Sequence, residues 1–297
     1  MVQQPDSAIQ PDAWYTDLPR PIYSTLERVA VQDDWFEVYR IRDGIYAIYE
    51  PGHFQEVISY LVLGREKALL IDTGLGIGDI RSVVRQLTRL PVEVMNTHSH
   101  FDHIGGNHQF ETVYILNHPT AVRRLQLGAS HQELAGEVTP GANAKPYPAG
   151  FDPERYTIPP CRFGTVEEGH IFDLGGRKLW VIYTPGHSDD SVMLAEDEEK
   201  LLFTGDTFYP ASLYVFFASA DPVEQLVETY RRTMEQLAAR YSDYTLICSH
   251  NEPLRGGEFL GRTARAFAEI QAGRQPDEVG SAGMKKYQFD GFAIITR

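Results

Sequence analysis

The sequence predicts a fold of mixed α and β structure in which each half of the chain forms several strands followed by a helix. Short runs rich in β-branched and aromatic residues, separated by turn residues, indicate the strands. Apolar residues that recur every three or four positions indicate the helices. The chain has 297 residues, which suits one large domain or two similar halves that share an interface.

Residues 1–34 are expected to be an irregular lead-in, because proline interrupts regular structure at four positions there, and the domain is expected to occupy 35–297. Strands are predicted for FEVYRI, GIYAIYE, VISYLVLG and KALLIDTG. The run IGDIRSVVRQLTRL then predicts a helix, and VEVMNTH predicts the next strand.

From residue 125 to residue 163 the periodicity weakens, and Gly, Pro and Ala become frequent. Such a segment is either a lid or binding loop or a surface insertion without a role, and both alternatives stay open. After it, strands are predicted for KLWVIYTPG, SVMLAE, KLLFTGD and YTLICSH. Helices are predicted for DPVEQLVETYRRTMEQLAARY and EFLGRTARAFAEIQAG, and a closing strand for YQFDGFAIIT.

The composition argues against nucleic-acid and membrane partners. The formal net charge of −14 repels phosphate backbones and anionic lipid. No run approaches the roughly 20 apolar residues that span a bilayer, and the first residues lack the pattern of a signal peptide. Two cysteines, Cys161 and Cys248, imply no disulfide framework. We therefore expect a cytoplasmic protein that acts on a small molecule, as a monomer or a homodimer.

Residues 96–109 read NTHSHFDHIGGNHQ and contain four of the ten histidines of the chain. Residues two apart on a strand face the same side, so His98 and His100 are expected to point together. Asp102 and His103 follow where the chain turns, in front of two glycines that permit close backbone approach. This one segment can therefore supply two pairs of ligands to two adjacent metal ions.

Three further candidate ligands follow strands in the second half of the chain. His187 ends WVIYTPGH, Asp206 ends KLLFTGD and His250 ends YTLICSH. Each comes just after an apolar strand, where sheet proteins usually build their sites. Imidazoles with carboxylates suit zinc, and the absence of a thiolate ligand keeps iron and manganese as alternatives. A lone histidine after a strand is more often structural, whereas five histidines and two aspartates at strand ends favour a metal site.

These motifs resemble those of the metallo-β-lactamase superfamily over roughly residues 36–270. THSHFDH matches its H-x-H-x-D-H signature, and TPGHS, LFTGDT and CSHNEP resemble its later motifs in the expected order. The resemblance implies an αββα sandwich, two mixed sheets flanked by helices, with two divalent metal ions at one edge. It implies these ligands: His98, His100 and His187 for the first ion, Asp102, His103 and His250 for the second, and Asp206 bridging both.

The remaining polar candidates are assigned supporting roles. Asp72 in LLIDTGLG matches the strand-end aspartate of the superfamily and is expected to hydrogen-bond the ligands from behind. His108 is expected on a helix surface, and Cys248 is expected to be a buried small hydrophobe. Three histidines match no ligand motif and are expected to be structural: His118, His131 and His170.

A metal pair of this kind predicts a hydrolase. Two ions roughly 3.5–4 Å apart share a water, lower its pKa and so provide a bridging hydroxide that attacks a carbonyl. Asp102 is placed to orient this nucleophile and to carry a proton to the leaving group. Aspartate at position 206, where the commonest zinc β-lactamases carry cysteine, resembles glyoxalase-II-type thioesterases and acyl-homoserine lactonases. The predicted substrate is therefore a small ester, lactone or thioester.

Two contacts with substrate are candidates. Tyr209 lies where lactonases of the superfamily place a tyrosine, so it is either a donor to the developing oxyanion or a packed aromatic. In YEPGHFQEVISY, His53 and Phe54 either line the pocket as part of an overhanging hairpin loop or form a turn with an exposed histidine.

Rival functions remain as alternatives. Asp206 disfavours a β-lactamase, and the acidic net charge disfavours a nuclease. A phosphotriesterase is a less favoured alternative, because attack on a carbonyl is expected rather than attack on phosphorus. A mononuclear iron persulfide dioxygenase shares the first motif but uses fewer ligands. Flavin-linked diiron reductases usually carry glutamate where this chain has His100. A binding protein that has lost catalysis would be expected to lack ligands, and all seven positions are filled here.

Overall fold

A computed structural model of the chain describes residues 14–215, 221–280 and 283–297. The chain forms two compact units. Unit 1 runs to Glu167 and takes in Phe172–Lys178, and unit 2 takes in Glu168–Ile171 and the described residues from Leu179 onward. Each unit has its own apolar core.

Unit 1 contains an eight-stranded mixed sheet whose strands follow one another in chain order across the sheet. The first five strands pair antiparallel and the last four pair parallel, so the fifth belongs to both patterns. The strands are Glu27–Val29 (β1), Glu37–Arg42 (β2), Ile45–Tyr49 (β3), Ile58–Leu63 (β4), Ala68–Ile71 (β5), Val92–Met95 (β6), Val113–Leu116 (β7) and Gly164–Val166 (β8). Because β5 and β6 are parallel, the residues that follow them emerge at the same edge.

In the described part of unit 1, four α-helices accompany this sheet. The buried side chains of the sheet and the apolar face of the first helix contribute to the core of the unit. The four helices are Ile80–Leu87 (α1), Phe101–Ile104 (α2), Pro119–Leu127 (α3) and His131–Leu134 (α4). Helix α1 begins after Asp79, whose carboxylate accepts a hydrogen bond from the Ser82 backbone N–H.

A six-stranded mixed sheet has the order β15-β14-β12-β11-β10-β9, and its residues from Leu179 onward belong to unit 2, which also contains a four-stranded sheet in the order β13-β18-β17-β16. These strands are Ile171–Asp173 (β9), Lys178–Tyr183 (β10), Val192–Glu196 (β11), Leu201–Gly205 (β12), Ser212–Tyr214 (β13), Thr245–Cys248 (β14), Leu254–Gly256 (β15), Glu278–Val279 (β16), Lys285–Phe289 (β17) and Phe292–Thr296 (β18). Two helices, Val223–Tyr241 (α5) and Glu258–Gln271 (α6), pack against each other in the core of this unit.

Three expectations differ from the structure. The lead-in is not wholly irregular, because Trp14–Asp17 and Pro21–Thr25 form 3-10 helices and β1 pairs with β2; residues 1–13 lie outside the described part. The closing segment is a hairpin of β17 and β18, since Gly291 adopts a φ of 87° and turns the chain. The 125–163 segment contains the end of α3, α4 and two 3-10 helices. The domain boundary at residue 35 stays a prediction.

Within the described part of the chain, the structure has no helix that is both long enough and apolar enough to cross a membrane.

Candidate metal centre

In unit 1 four candidate ligands lie within six residues, directly after β6. His98 and His100 follow the strand, and their Nε2 and Nδ1 atoms lie 2.9 Å apart. Asp102 and His103 belong to α2, and His103 Nε2 lies 3.7 Å from a carboxylate oxygen of Asp102. His98, Asp102 and His103 are buried, and His100 is partly exposed. The structure thus brings these four candidate side chains together in unit 1, and their division between two ions stays a prediction.

Asp72, the residue after β5, supports this group from behind. One of its carboxylate oxygens accepts a hydrogen bond from the Thr97 backbone N–H at 2.7 Å. The other lies 2.8 Å from the Thr97 hydroxyl and 2.8 Å from His103 Nδ1. With Nδ1 as the donor in this bond, Nε2 of His103 is left as the atom that faces Asp102 and can bind a metal.

A buried amide network that the sequence analysis missed holds the backbone of α2. The Asn96 side chain donates to the His103 carbonyl oxygen at 3.0 Å, and the Thr73 hydroxyl lies 3.2 Å from the same oxygen. The Asn107 side chain donates to Asn96 at 2.8 Å and accepts from Thr73 at 2.9 Å. Asn96 and Asn107 stand at the two ends of the histidine stretch, and that position is the signal that could have identified them.

Helix α2 also lies directly against the loop that follows Asp72. A Cβ atom on Gly105 would come within 2.2 Å of the Leu75 backbone, so only glycine permits this approach. The loop is held on its other side, where the Leu75 N–H donates to Glu50 at 2.9 Å and the Leu75 carbonyl accepts from the Tyr156 hydroxyl at 2.5 Å. Burial raises the pKa of Glu50 to about 7. Through Tyr156, the 125–163 segment therefore contacts the loop that packs against the end of α2.

The hairpin loop between β3 and β4 is fastened to the same segment. His53 is 0% exposed, and its Nε2 lies 2.7 Å from the Glu137 carbonyl oxygen. Burial lowers the pKa of His53 to about 4, so the ring is neutral and donates through Nε2. The Phe54 N–H donates to the Ala142 carbonyl at 3.0 Å, and its half-buried ring stacks on His53 at 4.6 Å. The alternative of an exposed histidine is wrong, because this docking buries it.

In unit 2 three candidate ligands follow three different strands. His187 comes after β10, Asp206 after β12 and His250 after β14. One carboxylate oxygen of Asp206 lies 3.4 Å from His187 Nε2, and the other lies 3.0 Å from His250 Nε2. All three side chains are buried. Asp206 therefore lies between the two imidazoles of its unit.

Tyr209 lies beside this group, with its ring centroid 4.9 Å from that of His250. The Tyr209 hydroxyl donates to the Ser212 carbonyl oxygen at 2.5 Å, and the residue is buried.

The remaining histidines and Cys248 are not among the groups of candidate metal ligands in the described part of the chain. His108 is exposed on a 3-10 helix and His170 is exposed next to β9. The His118 ring accepts from the Thr120 N–H at the start of α3, and His131 Nδ1 lies 3.2 Å from the Tyr156 carbonyl. Cys248 is buried, and burial raises the pKa of its thiol to about 12.

The donor chemistry fits a divalent metal ion. Within each unit the neighbouring ligand atoms lie within 4.8 Å of one another, as in the pairs His98 with His100, Asp102 with His103, and His187 with Asp206. Imidazole nitrogens and carboxylate oxygens are the atoms with which proteins hold zinc, and iron or manganese also accept them. The chain thus carries groups of histidine and aspartate that could hold metal.

Comparison with known proteins adds independent findings. A family model described as the metallo-beta-lactamase superfamily matches residues 54–250. The acyl-coenzyme A thioesterase MBLAC2 of Gallus gallus is 31% identical over 216 residues, which cover 68% of this chain and 76% of that protein. A hydroxyacylglutathione hydrolase of Francisella philomiragia subsp. philomiragia is 29% identical over 171 residues, covering 58% of this chain and 55% of that protein.

Among solved structures, a beta-lactamase domain protein from Burkholderia ambifaria superposes with a TM-score of 0.60 at 17% identity, covering 92% of this chain and 99% of that chain. At this identity the likeness concerns the fold alone. It confirms the metallo-β-lactamase fold that the sequence predicts.

Proposed function

Because the chain belongs to the metallo-β-lactamase superfamily, we propose that it is a dinuclear metal-dependent hydrolase that cleaves the thioester bond of a small acyl thioester. Its place among the metal-dependent hydrolases follows from the family and from relatives that are named as thioesterases and hydrolases. The observation that carries the proposal is that every candidate ligand is an imidazole or a carboxylate, gathered with the other ligands of its own unit.

The proposal assigns seven ligands to two divalent ions, with zinc as the expected metal and iron or manganese as alternatives. The assignment is His98, His100 and His187 for one ion, Asp102, His103 and His250 for the other, and Asp206 for both. When bound, such a pair lowers the pKa of water toward neutrality, which supplies a hydroxide nucleophile, and polarises the carbonyl under attack. The position of Asp206 between His187 and His250 in unit 2 supports its bridging role.

Asp102 is the residue proposed to handle the proton. Asp102 is buried but not wholly enclosed, at 5% exposed, and a carboxylate oxygen lies 3.7 Å from His103 Nε2, which supports a role beside the proposed ions. In this role it accepts the proton of the attacking water and delivers it to the leaving group. A thiol has a pKa of roughly 8.5, so a thiolate leaves with little help from an acid. One carboxylate is therefore enough for a thioester.

For Tyr209 the contacts support packing rather than donation to an oxyanion. Its single hydroxyl proton is already directed at the Ser212 carbonyl, and its ring lies against His250. Tyr209→Phe separates the two hypotheses. Turnover that stays within about twofold of wild type on every active substrate indicates packing, whereas a loss of the order of 100-fold in kcat indicates an oxyanion donor.

The proposal is tested by metal quantification of the purified protein together with a substrate panel. The panel contains an acyl-coenzyme A, a hydroxyacylglutathione, a lactone, a β-lactam, a phosphotriester and a persulfide. We expect two divalent ions per chain and the highest kcat/KM on a thioester. One iron per chain with oxygen uptake on the persulfide would replace the hydrolase by a dioxygenase. A β-lactam or phosphotriester as the best substrate would overturn the thioesterase.

A further inference from the structure

Helix α5 presents Tyr230 to both of the loops that carry His187 and Asp206. The Tyr230 hydroxyl lies 3.1 Å from the Asp206 carbonyl oxygen and 2.8 Å from the Thr207 carbonyl oxygen. Its ring lies on the other loop, where a Cβ atom added to Gly186 would be 2.5 Å from the ring carbons. Tyr230 is 0% exposed. One side chain of α5 thus contacts the backbone next to two candidate ligands.

A second side chain of the same helix acts one turn later. The Thr233 hydroxyl donates to the Pro185 carbonyl oxygen at 2.6 Å, just before Gly186 and His187. The two loops are also joined to each other, since the hydroxyls of Thr184 and Thr207 lie 3.0 Å apart. Residues three apart lie on one face of a helix, so Tyr230 and Thr233 hold both loops from a single surface.

These contacts are made to backbone carbonyl groups, so they hold the backbone of the two loops rather than the ligand side chains themselves. Holding the carbonyl of Asp206 fixes the peptide plane that follows its Cα atom, and so restricts the backbone from which the side chain leaves. The contacts are buried, so a phenylalanine at position 230 would leave the Asp206 and Thr207 carbonyls without this donor. The apolar pattern of α5 predicts a core residue at this position and does not reveal the function of the hydroxyl.

We infer that Tyr230 is a positioning residue that holds Asp206 and His187 in the geometry that binds cations. The inference rests on the proposed function in one respect, that these two side chains ligate metal. Removing a group that orients a metal ligand typically weakens metal binding by roughly 10–100-fold.

The test compares Tyr230→Phe with Tyr241→Phe, a tyrosine three turns further along α5 whose ring packs on Tyr244. Zinc affinity of each full-length protein is measured by competition with a colorimetric chelator, and the visible spectrum of the cobalt-loaded form reports ligand geometry. Thermal unfolding of the metal-free proteins measures stability separately. We expect Tyr230→Phe to bind zinc at least ~10-fold more weakly with a changed cobalt spectrum, and Tyr241→Phe to match wild type in both.

Equal zinc affinity and equal cobalt spectra for wild type and Tyr230→Phe would overturn the inference while leaving the metal centre intact. Equal losses in Tyr230→Phe and Tyr241→Phe would overturn it as well, since the effect would then belong to the helix as a whole. A wild-type protein that takes up no cation would overturn the proposed function first and this inference with it. If Tyr230→Phe does not fold, Thr233→Val takes its place, and unchanged affinity in that variant contradicts the positioning by α5.

Discussion

The two units provide their candidate ligands in opposite ways. In unit 1 the ligands lie within residues 98–103, where Asp72 bonds the ring of His103 and Asn96 bonds its backbone. In unit 2 they are spread over residues 187–250, and hydroxyls of α5 hold the backbone of the loops that carry them. Unit 1 therefore depends on a compact local motif, whereas unit 2 depends on the packing of a helix against distant loops.

This difference predicts where each group is vulnerable. A contiguous motif keeps its ligands near one another through the short backbone that joins them. Ligands that follow separate strands have no such connection. The spacing of His187 and His250 therefore depends on Asp206, which lies between them, and on α5, which holds the loops of His187 and Asp206. Substitutions in the two units should accordingly differ in size and in kind.

The largest effect is expected from Asp206→Ala. The carboxylate lies between His187 and His250, so its loss removes the group proposed to bridge both ions and leaves two buried imidazoles without it. We expect at least ~100-fold weaker zinc binding, the upper end of what an outer hydrogen-bond partner contributes, with a parallel loss of kcat/KM on the best thioester. The measurements are zinc stoichiometry and steady-state kinetics.

Asp197→Ala is the matched control, since it removes an exposed carboxylate of the same unit. Two ions per chain and wild-type activity in Asp206→Ala would refute the bridging role and remove the contrast between the units.

A smaller effect is expected in unit 1 from Asp72→Asn. Asp72 has a φ of 61°, a conformation that asparagine tolerates better than most residues, so the variant keeps the backbone and changes only the carboxylate group. The amide replaces one acceptor oxygen of a carboxylate that serves His103 and Thr97. We expect roughly a 10-fold loss of zinc affinity with the fold retained. Chelator competition checks the affinity and circular dichroism checks the fold. A loss as large as that of Asp206→Ala would show that unit 1 is no more robust than unit 2.

The smallest effect on metal binding is expected from the segment docked on unit 1, where the measured quantity is stability. Burial raises the pKa of Glu137 from 4.5 to about 7 in the folded protein. Between these pH values the folded state keeps a proton that the unfolded state has released, so the unfolding free energy falls as the pH rises through this window. Glutamine does not ionise. Glu137→Gln should therefore be about as stable as wild type at pH 4.5 and about 3 kcal/mol more stable at pH 8, because each pKa unit of separation is worth about 1.4 kcal/mol.

Urea unfolding at the two pH values measures this difference, with the exposed Glu154→Gln as the control. The pKa of His53 is lowered from 6.5 to about 4, so the unfolding free energy rises with pH between these two values. This contribution is the same in wild type and variant, because His53 bonds the backbone carbonyl of residue 137 and not its side chain. A stability difference that does not change with pH would contradict a buried, protonated Glu137.

Much of the fold could be predicted, because the strands and long helices carry strong periodic patterns. Strands β2 to β6 and helix α5 lie within a few residues of their predicted positions. Strands β7 and β8 were missed, and β8, with three residues, offers too short a pattern to be recognised. The single closing strand was wrong because a glycine with positive φ divides it into a hairpin.

The sequence by itself determined the residue types that could bind metal and their placement just after strands, because strand periodicity and imidazole chemistry are local properties. Only the tertiary structure decided which groups support them. Asn96, Tyr156 and Tyr230 act on the candidate ligands or their loops through atoms that lie near in space, and two of these three come from distant parts of the chain. A hydrogen bond between remote residues depends on how elements pack, and packing leaves no periodic trace in the order of the residues.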